Sequence, residues 1–226
     1  MRIMKNKKPF LVLFSVVGLI LVCGGLLAAG PKRLPQIVVG NRPTHVRPLE
    51  TDSSGLTELY SNLGSRTNAY NTTFAWVVSG PNSPFGQKQW MAMPFTPEAD
   101  ATVIQIKMAL FWDGIGTKNS ATVIFAADRA GLPGAGLRKW VVNNMKTFGE
   151  CCSLTTVRAP GDGIKVKKGQ LYWLVAKTDS TNDDALDVWA YTWNQATGDS
   201  DYNVGDGWKT QTNQGLAAYA IYGTEP

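Results

Sequence analysis

Beyond about Tyr70 the apolar residues of this chain fall in short runs separated by Gly, Pro, Asn and Asp, and no run keeps a 3.6-residue apolar period for three turns. A helix packed on a core needs that period, whereas a strand needs only alternation, so the pattern predicts strands and little helix. The clearest run is Thr102-Val103-Ile104-Gln105-Ile106-Lys107-Met108-Ala109-Leu110. Successive strand side chains point to opposite faces, which would put Ile104, Ile106, Met108 and Leu110 on a core face and Gln105 and Lys107 on the other. Further strands are expected over 73–79, 89–95, 121–127, 137–143, 153–157, 171–177, 185–193 and 216–222. Between them lie turn signals such as Pro81-Asn82-Ser83-Pro84, Asp113-Gly114, Gly131-Leu132-Pro133-Gly134, Pro160-Gly161-Asp162-Gly163 and Gly205-Asp206-Gly207. Roughly eight to ten strands without alternating helices predict an all-β domain over 69–226, an antiparallel β-sandwich of jelly-roll-like type.

The first 68 residues have a different character. Arg2, Lys5, Lys7 and Lys8 precede an uncharged run from Phe10 to Gly30 rich in Leu, Val, Ile and Phe. That pattern is a signal peptide or N-terminal membrane anchor over 1–30, and the run is long enough to span a bilayer as a helix. Ala28 and Gly30 offer small residues for cleavage, while Pro31 is a poor residue to cut before; if the segment is retained, its lysines hold the N-terminus inside. Either outcome places the remainder outside the cytoplasm, secreted, periplasmic or anchored at the N-terminus. Cys23 lies within the apolar run, and Val22 stands where a lipoprotein signal wants a small residue. Residues 31–68, with Pro31, Pro35, Pro43 and Pro48 and no sustained hydrophobic period, read as a linker or arm with a short turn of helix near 56–63.

Charge follows the same division. The formal net charge is +5, from 22 basic and 17 acidic side chains. Setting the four leader cations aside leaves a net of +1, so the basic character belongs mostly to the leader and gives no reason to expect a nucleic-acid partner. Membrane contact is expected only through the N-terminal segment.

The side chains that could carry chemistry are few. The chain has one histidine, His45, and it falls in the Pro-rich arm. A multi-histidine metal site is therefore excluded, and a histidine-dependent hydrolase would have to recruit its base from outside the folded core. Paired carboxylates could do glycosidase work without histidine, but sequence measures no separation between them. Asp179, Asp183, Asp184 and Asp187 crowd one segment, as Asp199, Asp201 and Asp206 crowd the next. Loops of this kind either stay solvated or supply several oxygen ligands to calcium, the one cofactor they suggest. Cys151 and Cys152 are adjacent, with Cys23 the only other cysteine. They can form a vicinal disulfide across a local turn, remain two thiols, or bridge to another molecule.

The chain also has eight tryptophans. Trp189, Tyr191 and Trp193 alternate along one expected strand, and Tyr202 and Trp208 lie in a neighbouring Gly-rich stretch expected to be loop. Such a set is either sandwich core or a platform on which the apolar C–H face of a sugar ring stacks. Trp208 is the one expected to be exposed.

Four segments in order carry a resemblance: Met93-Pro94-Phe95-Thr96-Pro97, Ala127-Asp128-Arg129-Ala130-Gly131-Leu132-Pro133-Gly134, Phe148-Gly149-Glu150-Cys151-Cys152 and Gln170-Leu171-Tyr172-Trp173-Leu174-Val175. With them, residues 76–223 resemble the exported bacterial β-sandwich domains called choice-of-anchor domains, which are uncharacterised in function. The resemblance implies a cell-surface or secreted module and brings no active site. Relatives commonly carry a C-terminal sorting segment, which Gly223-Thr224-Glu225-Pro226 does not resemble, so anchoring is expected from the N-terminus. The expected function is a non-enzymatic surface module that binds extracellular glycan or contributes to the surface matrix. A structural or adhesion protein without a small ligand and a two-carboxylate glycoside hydrolase are the alternatives.

Overall fold

The computed structural model describes residues 55–226 and the short strand 36–38. The expected leader, Cys23, His45 and most of the expected arm lie outside the described residues. In chain order the strands are β1 Gln36–Val38, β2 Thr57–Ser61, β3 Tyr70–Ser79, β4 Trp90–Phe95, β5 Ala101–Met108, β6 Leu110–Trp112, β7 Ser120–Arg129 and β8 Leu132–Asn143, followed by β9 Thr155–Arg158, β10 Ile164–Val166, β11 Tyr172–Lys177, β12 Leu186–Thr192, β13 Thr197–Asn203, β14 Trp208–Gly215 and β15 Tyr219–Thr224. No helix occurs among the described residues, and none there is long and apolar enough to cross a membrane. The chain is all-β and its strands pair antiparallel.

Three sheets are formed. One has the order β1-β3-β12-β6, a second β10-β5-β15-β2 with β9 also on β5, and the third β14-β13-β4-β11-β7-β8. The first two meet where three alanines close a ring of backbone hydrogen bonds. Ala109 N–H donates to the Ala218 carbonyl (3.0 Å), Ala218 N–H to Ala190 (2.8 Å) and Ala190 N–H to Ala109 (2.8 Å). Each buried amide and carbonyl there has a partner although no regular ladder continues. All three alanines are fully buried, and the ring lets the chain pass from β5, paired with β15, into β6, paired with β12.

One large core joins the inner face of the six-stranded sheet, with Met91, Met93, Phe95, Val123, Phe125, Tyr172 and Leu174, to Trp76, Val103, Ile106, Met108, Trp189, Tyr219 and Ile221 of the other two. Tyr219 donates its hydroxyl to the Pro94 carbonyl across that core. In β5 the alternation predicted from Ile104 onward is corrected by a bulge. Tyr222 stands opposite Gln105 and Gly223 opposite Val103, skipping Ile104. The extra residue shifts the phase, so Ala101 and Val103 face the core before it and Ile106 and Met108 after it, leaving Ile104 only half-buried.

Two further expectations are corrected. The helical turn near 56–63 is instead β2, paired with β15; its Leu59 and Tyr60 pack on the large core, so burial decides against the local spacing. The Gly-rich loop holding Tyr202 and Trp208 is instead a hairpin of β13 and β14 that extends the six-stranded sheet.

Candidate functional site

The five aromatics expected to form a platform do not share a surface. Trp189 and Tyr191 belong to the large core, against which Tyr202 also packs. Their strand is central, between β3 and β6, so the face that alternation assigns them is covered. Trp189 donates its indole N–H to the Ala218 carbonyl (3.0 Å), and Tyr191 packs at 5.3 Å on Trp76. Burial raises the Tyr191 phenol pKa. Trp193 follows the end of β12, lies against Gly64 and is 48% exposed, more open than the half-buried Trp208. Of the five, only Trp208 joins an aromatic group on the outer face of the six-stranded sheet.

That outer face is organised by register. Trp208 stands opposite Asn203, and Asn203 opposite Trp90. Ala176 pairs with Met91, so Lys177 follows beside Trp90, and Lys177 pairs with Thr122, which pairs with Val141. Since side chains across a ladder share a face, Trp208, Asn203, Trp90, Lys177, Thr122 and Val141 form one row across all six strands. The next row is Thr210, Asp201, Ala92, Val175, Ile124 and Lys139 by the same pairings. Its small and aliphatic residues form a floor with Trp173, onto which Trp208 packs. The edge strands β8 and β14 approach each other, so the sheet curls over this face.

At one end the aromatics meet charge. The Trp90 and Trp208 rings are 6.4 Å apart. Trp90 donates its indole N–H to the Thr178 hydroxyl (3.2 Å), which fixes the ring, as Trp173 is fixed by Asp128 (2.9 Å). Lys88 Nζ lies 3.4 Å and Lys177 Nζ 4.5 Å from the Trp90 ring centroid, within cation–π range. Burial lowers the Lys88 pKa. Lys177 is lowered mainly by burial and then by the Lys139 charge, against the pull of Asp179, with the Lys88 charge the smallest cause. Asp179 is itself engaged by Lys139 Nζ (2.8 Å), the Thr122 hydroxyl (3.0 Å) and Thr181; these bonds, that of Lys139 first, hold its carboxyl below the usual range.

The acids expected as a calcium set are each engaged or buried separately. Asp183 accepts from Asn82 (2.8 Å) and Asp184 from Thr117 (2.6 Å). Asp187 points into the core with neither oxygen hydrogen-bonded; burial and then the Asp113 charge raise its pKa to about 9. Among the described residues no three acidic, histidine or cysteine side chains gather as a metal site. Asp201 on β13 is fully buried. Burial first, with the Asp128 and Asp199 charges, raises its pKa to about 6 against the Thr210 hydroxyl.

Cys151 and Cys152 are joined as a vicinal disulfide. Both are buried in a second core cluster with Phe111, Phe148, Val188 and the three junction alanines. Ala69 N–H donates to Cys152 Sγ (3.4 Å).

Sequence reasoning misses Trp90, Lys88, Lys177 and Lys139 as neighbours, because they come from three strands and a loop. Local signals exist in Lys88-Gln89-Trp90 and in the period-two series Trp173, Val175, Lys177, but the pairing that unites them is set by register. No family model matches the chain, and neither a curated protein nor a solved structure does.

Proposed function

We propose that the protein is an exported, non-enzymatic β-sandwich module, jelly-roll-like and of the choice-of-anchor type it resembles, that binds an extracellular glycan at the Trp90 and Trp208 end of its six-stranded sheet. The observation that carries this reading is the pair of half-buried indoles 6.4 Å apart with Asn203 between them. Sugar rings present an apolar C–H face to a flat aromatic, which two neighbouring indoles offer; Asn203 is buried, with its Oδ1 accepting from the Gly205 N–H (2.8 Å). The indole N–H of Trp90 is held by Thr178, so stacking costs little ordering. The shared core between the six-stranded sheet and the others supports a two-layer sandwich.

Against hydrolysis, the two carboxyl groups with raised pKa, Asp187 and Asp201, are fully buried, beyond the reach of a polymeric substrate. Export, with membrane contact confined to the N-terminal segment, rests on the leader sequence. A structural or surface-matrix role without small ligand is the second reading, favoured by Leu137 (41% exposed) and Val141 (51% exposed) on the edge strand β8.

A glycan panel read by tryptophan quenching tests the proposal. It expects saturable quenching by at least one polysaccharide, weakened about tenfold or more by Trp208→Ala. Absence of a saturable response across the panel would leave the structural reading.

A further inference from the structure

Lys88 and Lys177 place two ammonium groups over one indole, 3.4 and 4.5 Å from its centroid. The Lys88 charge acts on Lys177, and both side chains are half-buried, where water screens like charges less. Lys139, next along the outer face, adds a third cation close enough to Lys177 to act on it. The acid that acts on Lys177, Asp179, is also bound by Lys139, Thr122 and Thr181. Among the described residues the ion pairs are Lys139 with Asp179 and Lys209 with Asp206, so neither Lys88 nor Lys177 has a carboxylate at ion-pair distance. The ring holds the two cations, but it does not neutralise them.

We infer that the ligand at this end of the sheet is an acidic saccharide, whose carboxylate is bound by Lys88 and Lys177 over Trp90 while its ring contacts the neighbouring Trp208 indole. The assignment rests on the glycan reading above and adds the charge class to it. An anion between the two ammonium groups would relieve their repulsion and accept charge-assisted hydrogen bonds from both. The carboxylate of a uronate is equatorial to the ring that stacks, so one residue can meet cation and indole together. A nucleic acid would require a longer track of cations along its backbone, and the row runs instead into Asn203, Thr122 and Val141.

The test uses the full chain titrated with alginate, polygalacturonate and hyaluronate, with the same three polymers methyl-esterified, and with neutral glucans, followed by tryptophan fluorescence. A (dT)20 oligonucleotide is the nucleic-acid control. The expected result is that at least one free acid binds about tenfold or more tightly than its ester at low salt, a preference that fades as salt is added. The Lys88→Gln, Lys177→Gln double variant should bind acid and ester alike, a loss of preference that a folding defect, which abolishes the binding of both, would not give. Equal binding of acid and ester, or neutral glucan binding alone, would overturn the charge assignment and leave the glycan reading intact. Binding of the oligonucleotide as tight as that of the acids would overturn the saccharide assignment. No binding of any saccharide would overturn both.

Discussion

The hydroxyl of Tyr70 donates to the Glu150 carbonyl at 2.7 Å and accepts from the Ser153 N–H at 3.0 Å, so one phenol of β3 ties both ends of the segment that carries the cysteine pair. Burial is the main cause that raises its pKa to about 12, so it keeps its proton for Glu150 at any physiological pH. Tyr70→Phe would leave the part-buried Glu150 carbonyl and Ser153 amide without this partner. We expect a loss of about 1–3 kcal/mol, seen as a lower denaturant midpoint at an unchanged m-value; no change would show that solvent already serves both groups.

The pair itself gives a separate expectation. Because Cys151 and Cys152 are bonded to each other and Cys23 is the remaining cysteine, alkylation of the denatured chain without reductant should add one group at most. Uptake of two or more by intact mass would contradict the disulfide.

Gly215 illustrates packing that tolerates no side chain. A Cβ there would come within 2.5 Å of the Tyr191 ring, and the Gly215 carbonyl accepts the Trp76 indole N–H at 2.7 Å. Gly215→Ala should cost about 1–3 kcal/mol through overpacking of that aromatic pair, measured by thermal or chemical unfolding.

Asp187 predicts a pH dependence of definite sign. Its folded pKa, about 9, stands above the ordinary carboxylate value of 3.8, so the folded state keeps a proton that the unfolded state loses. Stability should therefore be greatest below about pH 4 for this group and fall as pH rises to about 9, with a slope approaching about 1.4 kcal/mol per pH unit. Asp201 acts in the same direction between about pH 4 and 6. Asp179, held low by Lys139 and Thr181, acts oppositely and loses its contribution as pH falls below about 4. Asp187→Asn should flatten this decline; an unaltered profile would show that Asp187 is ionised in the folded protein.

The all-β character was legible because alternation and turn residues are local properties, and the expected strands at 73–79, 121–127 and 171–177 lie within β3, within β7 and over β11. Other features depend on partners distant in sequence. Leu56, Leu59, Tyr60 and Leu63 have helical spacing, yet β2 forms because β15 offers an open edge. Thr197–Asn203 carries two acids and a glycine and reads as loop, yet β4 recruits it as β13. The Ile104 bulge is invisible to a strict period of two. At the site, Trp189 and Tyr191 do share a face as alternation requires, but whether a face is core or surface depends on the neighbouring sheet, and only Trp208 of the expected set reached the outer face.

The most direct test of the account is the set of indole N–H resonances of the 15N-labelled chain, assigned by Trp→Phe variants and followed while the tightest polysaccharide is added. The Trp90 and Trp208 signals should move together while those of the core residues Trp76 and Trp189 stay fixed. Shifts confined to Trp193, or Trp90 and Trp208 signals that stay still at saturation, would contradict it.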